Sequence, residues 1–129
     1  MTASLAGWIY ARDNPQECVE IVMANGAELA PNHQLWMMNE VNKLIWPSPA
    51  GVGIIVPELW EQTVSIARCT KEPGDSTVIT AEPSAEAYTN TYAEAANAEL
   101  TSAGLDTTGE AFAPIVVTLN EGDRDRFVG

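Results

Sequence analysis

The chain has 129 residues, 46% of them hydrophobic, and its 18 acidic side chains outnumber the 6 basic ones to give a formal net charge of −12. This length suits one domain with an ordinary core, so residues 1–129 are treated as a single domain. The negative charge argues against nucleic acid or an anionic membrane as a partner, because both would repel the chain. No apolar run approaches the roughly 20 residues that span a bilayer, and no export signal opens the sequence, so we expect no membrane insertion and, for the chain as written, a cytoplasmic location.

A junction between two helices is the clearest local signal in the sequence. Pro15 disfavours helical geometry at the residue before it, so a first helix carrying Trp8 should end near Asp13. Asn14 is expected to cap the second helix through its side-chain oxygen, and Glu17 to complete a capping box. The second helix then presents an apolar stripe at three-to-four spacing, made of Cys18, Val19, Val22 and Met23.

A third helix is predicted to open at Pro31 and to end before the two prolines of residues 47–49. One of its faces is apolar and follows the helical period through Leu35, Met38, Val41, Leu44 and Ile45. The other is a polar and aromatic row of Asn39, Asn42 and Trp46. The helix therefore specifies two faces of different chemistry.

Two more helices are predicted in the second half of the chain. The fourth starts at Pro57, and its buried face should comprise Leu59, Trp60, Val64 and Ala67. After a turn-like connection around residues 71–77, the fifth is expected from about Pro83 to about Ser102, with Gly104 as its stop. Its inward side should comprise Tyr88, Tyr92, Ala95, Ala96 and Leu100.

The C-terminal residues differ in composition from the predicted helices. Residues 113–119 are rich in β-branched side chains and predict a strand at 115–119, whereas residues 120–129 form a charged end that we expect to fray. The sequence thus predicts a mainly α fold, with about five helices and one C-terminal strand. Because an unpaired strand exposes hydrogen-bonding groups, the partner of this strand is expected to lie outside the chain.

Catalytic chemistry has little support in the sequence. His33 is the one histidine, and it has no ligand-spaced carboxylates around it, which favours a solvated role over catalysis or metal binding. Cys18 and Cys69 lack the companions of a metal cluster, and a buried, inert thiol at Cys18 is favoured over a disulfide. We therefore predict no catalytic residue, no metal site and no cofactor, and we do not expect an enzyme.

The tryptophans supply the candidate ligand-binding residues. Trp8 and Trp60 lie on apolar stripes and are predicted to be in the core. Trp46 differs because it closes the row of Asn39 and Asn42, where an indole can stack on a flat ring while two amides fix its orientation. Asn39, Asn42 and Trp46 are the candidate ligand-binding residues, and the alternative is an indole that caps the helix end against the following loop.

Several motifs occur in a fixed order along the chain. They are Gly7-Trp8, Asn14-Pro15-Gln16-Glu17, residues 36–47 (WMMNEVNKLIWP), Gly51-Val52-Gly53, Pro57-Glu58-Leu59-Trp60, Tyr88-Thr89-Asn90, Phe112-Ala113-Pro114 and residues 117–122 (VTLNEG). In order and spacing they resemble the C-terminal part of the solute-binding proteins of ABC importers, in the group that takes up thiamine precursors, nitrate, sulfonates and taurine. The resemblance covers essentially the whole chain.

The resemblance implies a two-lobed α/β fold of the type II periplasmic-binding-protein kind. A full-length parent would be periplasmic or extracellular, close on a small organic solute such as a thiamine or pyrimidine precursor or a sulfonate, and deliver it to an ABC permease. Such proteins are much longer, so this chain would be a fragment whose helices cover one lobe. The missing portion would hold the export signal, most of both sheets and the larger share of the ligand contacts.

A second interpretation belongs to a different class of protein. The chain would then be a free-standing acidic helical interaction module that meets a basic partner and binds no small molecule. An in-frame upstream segment with a signal peptide and alternating strands and helices would favour the solute-binding fragment over this module.

Overall fold

The computed structural model describes residues 1–26, 30–74 and 76–119, and within these ranges the fold is mainly helical and contains no β-strand. The helices are α1 (Thr2–Asp13), α2 (Pro15–Asn25), α3 (Pro31–Ile45), α4 (Pro57–Cys69) and α5 (Thr91–Ser102). Helix α1 packs against α2 and α5, and α2 packs against α3, whereas α4 has only sparse contacts with the other helices. Among the helices of the described ranges, none combines the length and apolar character needed to cross a bilayer.

The junction of α1 and α2 lies where the sequence predicts it. Helix α1 ends at Asp13, and Pro15 occupies the first turn of α2, where its missing N–H leaves no bond unmade. The predicted side-chain cap by Asn14 is wrong, because its Nδ2 donates to the Tyr10 carbonyl oxygen at 3.1 Å instead. The amide therefore adds a second hydrogen bond to a carbonyl at the C-terminal end of α1, which already accepts from the Asn14 backbone N–H at 2.8 Å, and does not cap the start of α2.

The core lies between α1, α5 and the segment that follows α3. Its buried side chains are Leu5, Ile9, Trp46, Val52, Ala96 and Leu100. Gly104 ends α5 as predicted: it adopts a φ of 85°, and the N–H of Leu105 donates to the Leu100 carbonyl at 3.0 Å. This turn brings Leu105 back onto the core.

The predicted start of α5 is wrong, since the helix begins at Thr91 rather than near Pro83. The Asn90 side chain makes two long-range bonds to the backbone of Ile55, accepting from its N–H at 2.9 Å and donating to its carbonyl at 2.8 Å. These bonds fix Asn90 against the segment that leads into α4. Tertiary contacts thereby override the local helical propensity upstream of α5.

Several side chains predicted to face the core are exposed. Trp8, Leu59 and Tyr92 have 43%, 59% and 68% of their surface accessible, and Ala95 is also exposed. The physical reason is that the packing of the described elements leaves these sides of α1, α4 and α5 largely uncovered. The remaining members of the predicted faces of α4 and α5 are buried or half-buried: Trp60, Val64, Ala67, Tyr88, Ala96 and Leu100.

The predicted strand at residues 115–119 is wrong in the described structure. The chain instead runs along α3, where the Ile115 N–H donates to Asn39 Oδ1 at 2.9 Å and Asn32 Nδ2 donates to the Thr118 carbonyl at 2.5 Å. The described residues hold no second strand with which these residues could pair, so two asparagine side chains bind the backbone instead. The predicted frayed end, residues 120–129, lies outside the described residues.

Candidate functional site

The predicted ligand-binding residues lie along one side of α3 and at its end, and all of them are buried. Asn39, Asn42 and Trp46 have only 6%, 2% and 3% of their surface accessible. Trp46 belongs to the core, whereas the two asparagines face the junction of α1 and α2 and the segment around Ile115. A solute could therefore reach this row only where the covering groups move aside.

Two residues distant in sequence cover the Trp46 indole. The Arg12 guanidinium lies over the ring, 4.5 Å from its centroid, which is the geometry of a cation–π contact. Gly109 approaches the ring so closely that a Cβ there would lie 2.5 Å from Cε3 of Trp46 and 2.9 Å from Nη1 of Arg12. Gly109 also has a φ of 63°, so both its backbone conformation and the lack of space require glycine.

Arg12 is fixed in this position by hydrogen bonds on both sides. Its Nε and Nη2 donate to the two carboxylate oxygens of Asp13 at 2.7 and 3.0 Å, and its Nη1 donates to the Asp106 carbonyl oxygen at 3.0 Å. The bond to Asp13 is the main reason that the pKa of Arg12 lies above its usual value. No local pattern in the sequence indicates this role, because Trp46 and Asp106 lie far from Arg12 in the chain.

Asp106 organises the turn that carries Gly109. Its Oδ1 accepts hydrogen bonds from the Gly109 N–H at 3.0 Å, from the Thr108 hydroxyl at 2.8 Å and from the Thr108 N–H at 2.9 Å. These bonds favour the ionised carboxylate and lower its pKa, the Gly109 N–H most strongly, and the nearby Arg12 adds to the effect. The ionised form of Asp106 therefore holds the glycine against the indole.

Two buried polar atoms of the row lack a hydrogen-bond partner within the described residues. They are Oδ1 of Asn42 and Nε1 of Trp46, one an acceptor and the other a donor. Leaving such a group unpaired costs about 1–3 kcal/mol, and buried polar groups in proteins almost always have a partner. Asn39 is different, because its Oδ1 already binds the Ile115 N–H.

A small cavity adjoins the two asparagines. Its volume is about 30 Å³, and its lining comprises Arg12, Pro15, Asn39, Asn42, Phe112, Ala113 and Ile115. A polar space of this size holds about one water molecule or one small polar group of a ligand. The row therefore offers hydrogen bonding without room for a whole solute in this conformation.

A larger cleft lies between α1 and the loop after α5, and the sequence did not indicate it. Its volume is about 690 Å³, within the range of about 300–1,000 Å³ that small-molecule sites occupy. Gly7 and Gly104 belong to its lining, and a Cβ at either position would have no atom within 4 Å. Ala6, Ile9 and Leu105 line it with apolar surface, and Asp13 and Asp106 contribute carboxylates.

An apolar groove of about 200 Å³ runs across α1, α2 and α3. Its lining comprises Trp8, Ala11, Val19, Val22, Gln34, Met37, Met38 and Val41. The exposed apolar side chains of α3 continue beyond it to Leu44, which is 88% accessible. Exposed apolar surface that clusters in this way is typical of a surface that another body covers.

The two cysteines and the histidine, which are the other potentially reactive side chains, do not line the cavity beside the asparagines or the cleft at Gly104. Cys18 and Cys69 are free thiols, and partial burial raises the pKa of Cys18. His33 packs beside Trp36, with ring centroids 5.8 Å apart. Across residues 1–26, 30–74 and 76–119, no three histidine, cysteine or acidic side chains come together as metal ligands would.

Comparisons with protein-family models, with curated proteins and with solved structures found nothing that matches this chain. A functional assignment therefore depends on the sequence motifs and on the geometry of the described residues.

Proposed function

We propose that the chain is part of the solute-binding component of an ABC importer, as its motifs imply, and that Asn39, Asn42 and Trp46 contribute to recognition of a small organic solute. The observation that carries the solute-binding role is the pair of unpaired, buried polar atoms, Oδ1 of Asn42 and Nε1 of Trp46. A bound solute would supply the missing partners. Delivery to a permease is part of the proposal through the resemblance alone.

The arrangement of the chain also supports a place within a larger body. Trp8 and Leu44 are exposed apolar side chains on α1 and α3, and the β-branched segment 115–119 has no sheet within the described residues. Helices that cover one lobe of a two-lobed α/β protein would bury such surfaces against its remainder. The two-lobed fold is therefore retained as part of the proposal.

The chemistry of the two unpaired atoms favours one solute class. An aminopyrimidine of the thiamine-precursor type can donate from its amino group to Asn42 Oδ1 and accept at a ring nitrogen from Trp46 Nε1. Nitrate and simple alkanesulfonates, which have no amino group, only accept hydrogen bonds, so they would leave the Asn42 oxygen unpaired. Because the adjoining cavity holds only about 30 Å³, binding would require the segment around Phe112 and Ala113 to move away from α3.

Calorimetric titration of the chain with an aminopyrimidine, an alkanesulfonate and nitrate tests the proposal. We expect the aminopyrimidine to bind, Asn42→Leu to abolish its binding, and the matched variant Asn25→Leu to leave it unchanged, because Asn25 is exposed and bonds only within its own helix. In the complete parent protein, Trp46→Ala should weaken binding by about 1–3 kcal/mol if the indole contacts the solute. Binding that Asn42→Leu leaves unchanged would remove this row from the site.

The apolar groove supports a second candidate, the acidic helical interaction module. Its lining suits the apolar side of an amphipathic helix, and the net charge of −12 favours a basic one. Titration with a synthetic Lys/Leu helix tests this candidate. Val41→Asp within the groove should weaken the complex, whereas Val78→Asp, at an exposed valine outside it, should not.

A further inference from the structure

Asn25 and Gly26 form the one asparagine–glycine pair in the sequence, and every other asparagine is followed by a residue that carries a side chain. A peptide nitrogen that follows asparagine can attack the side-chain carbonyl carbon of that asparagine, which is the first step of deamidation. Glycine has no Cβ to obstruct this approach. The pair is therefore the position in the chain where the reaction meets the least steric hindrance.

The structure places the pair at the end of α2, where the attacking nitrogen is not held in the helix. Helices α1, α3, α4 and α5 each end with a backbone N–H that donates to a carbonyl of the last turn. The N–H of Gly26, which follows the last residue of α2, makes no such bond within the described residues. Asn25 is exposed as well, so water reaches its side-chain amide.

The reaction requires Asn25 to leave its helical backbone conformation, because only then can the Gly26 nitrogen approach Cγ of Asn25. Asn25 is the last residue of α2, and terminal helical residues open locally at almost no cost in free energy. Its side-chain bond, from Nδ2 to the Ile21 carbonyl at 2.8 Å, is exposed to solvent. Breaking this bond exchanges it for hydrogen bonds to water, so it is only a small obstacle.

We propose that Asn25 is a site of spontaneous deamidation in the folded chain. Hydroxide removes the proton from the Gly26 nitrogen, which attacks Cγ of Asn25, so that the N–Cγ bond forms and the Cγ–Nδ2 bond breaks. Nδ2 takes a proton from water and leaves as ammonia, and a cyclic imide remains. Water then opens the imide at either of its carbonyls, which gives aspartate or isoaspartate. The inference is independent of any solute or permease.

Both products should weaken the end of α2. A carboxylate cannot donate to the Ile21 carbonyl, so a hydrogen bond is replaced by the repulsion of two acceptors. The new negative charge also lies at the C-terminal end of a helix whose last turn has no basic residue, where the helix dipole disfavours an anion. The modified chain becomes more acidic than its net charge of −12, which makes the conversion measurable.

Incubation of the full chain at neutral and mildly alkaline pH, followed by anion-exchange chromatography and peptide mass spectrometry, tests the proposal. A more acidic species should accumulate, faster at the higher pH, with the change at Asn25 and with isoaspartate that an isoaspartate methyltransferase labels. Gly26→Ala should slow the conversion severalfold. This variant should fold, because a φ of −150° suits alanine and its Cβ would lie 3.6 Å from the Val22 carbonyl oxygen.

Ala98→Gly is the matched control, because it places a glycine after Asn97 inside α5 at an exposed position. Asn97 is buried, and its Nδ2 donates to the carbonyls of Val52 and Ala93 at 2.9 and 2.8 Å. In the folded variant Asn97 should stay intact while Asn25 converts, whereas in concentrated urea the two should convert at similar rates. Conversion of Asn25 only in urea, or equal rates at both positions in the folded variant, would overturn the proposal.

Discussion

The two sides of α3 are covered very differently. Asn42 and Trp46 have at most 3% of their surface accessible, whereas Met37, Val41 and Leu44 have 42%, 36% and 88%. The buried side is the polar and aromatic one, and besides the apolar side chains of the core it is covered by the Arg12 guanidinium and by the Ile115 N–H. The buried side of α3 is thus the side for which the rest of the chain supplies specific contacts. Arg12 makes a cation–π contact with the indole face, and the Ile115 N–H donates to the Asn39 amide oxygen.

The largest expected effect is the difference in stability between substitutions on the two sides of α3. Trp46→Ala should lower the free energy of unfolding by about 3–5 kcal/mol, since it removes a buried ring from the core. Leu44→Ala should change it by less than about 0.5 kcal/mol, because that side chain is in solvent. Urea denaturation of the two variants measures the difference, and equal losses would contradict the assignment of the buried side.

The next largest effect on stability concerns Gly109, which packs against the Trp46 indole. Gly109→Ala should destabilise the chain by about 2–4 kcal/mol, from the strain of a positive φ and from the collision of its Cβ with Trp46 and Arg12. Gly74→Ala is the control: Gly74 has a φ of 104° but no atom within 4 Å of its Cβ, so only the backbone strain applies. If both substitutions cost the same, Gly109 does not press on the ring.

The unpaired oxygen in the buried row predicts a gain in stability. Asn42→Leu should raise the free energy of unfolding by about 1–2 kcal/mol, because it replaces a buried amide that lacks a partner for its oxygen by an apolar side chain of similar size. The same substitution should abolish solute binding if the proposed function holds. Thermal denaturation with and without an aminopyrimidine measures both, and a loss of stability would mean that Asn42 has a structural partner.

The smallest effect concerns the turn that holds Gly109. The folded-state pKa of Asp106 lies below its ordinary value of 3.8, so its contribution to stability is present above that pH and is lost as the pH falls through the lowered value. Asp106→Asn keeps an oxygen acceptor but does not titrate, and it should weaken the dependence of stability on pH in the acidic range. Urea midpoints measured across that range for both proteins test this sign; a steeper dependence in the variant would contradict it.

The sequence alone predicts the helix boundaries that proline and glycine residues determine locally. The junction at Pro15, the starts of α3 and α4 at Pro31 and Pro57, and the stop at Gly104 are confirmed. These residues act through their own backbone geometry and require no knowledge of the rest of the chain.

The features that the sequence could not give depend on residues far apart in the chain. The helical start near Pro83 failed because Asn90 binds the backbone of Ile55, and the cover of Trp46 comes from Arg12 and Gly109. No local pattern links these positions. The same holds for the cleft between α1 and the loop at Gly104, which exists only once α1 and α5 have packed.

Acrylamide quenching of two variants, each with a single tryptophan and with phenylalanine at the other three positions, tests the central claim most directly. The account predicts that Trp46 is shielded and emits at short wavelength, because it is 3% accessible under Arg12 and Gly109, whereas Trp8 at 43% is readily quenched. A readily quenched Trp46 together with a protected Trp8 would contradict the account, since the apolar side of the helices would then be the covered one.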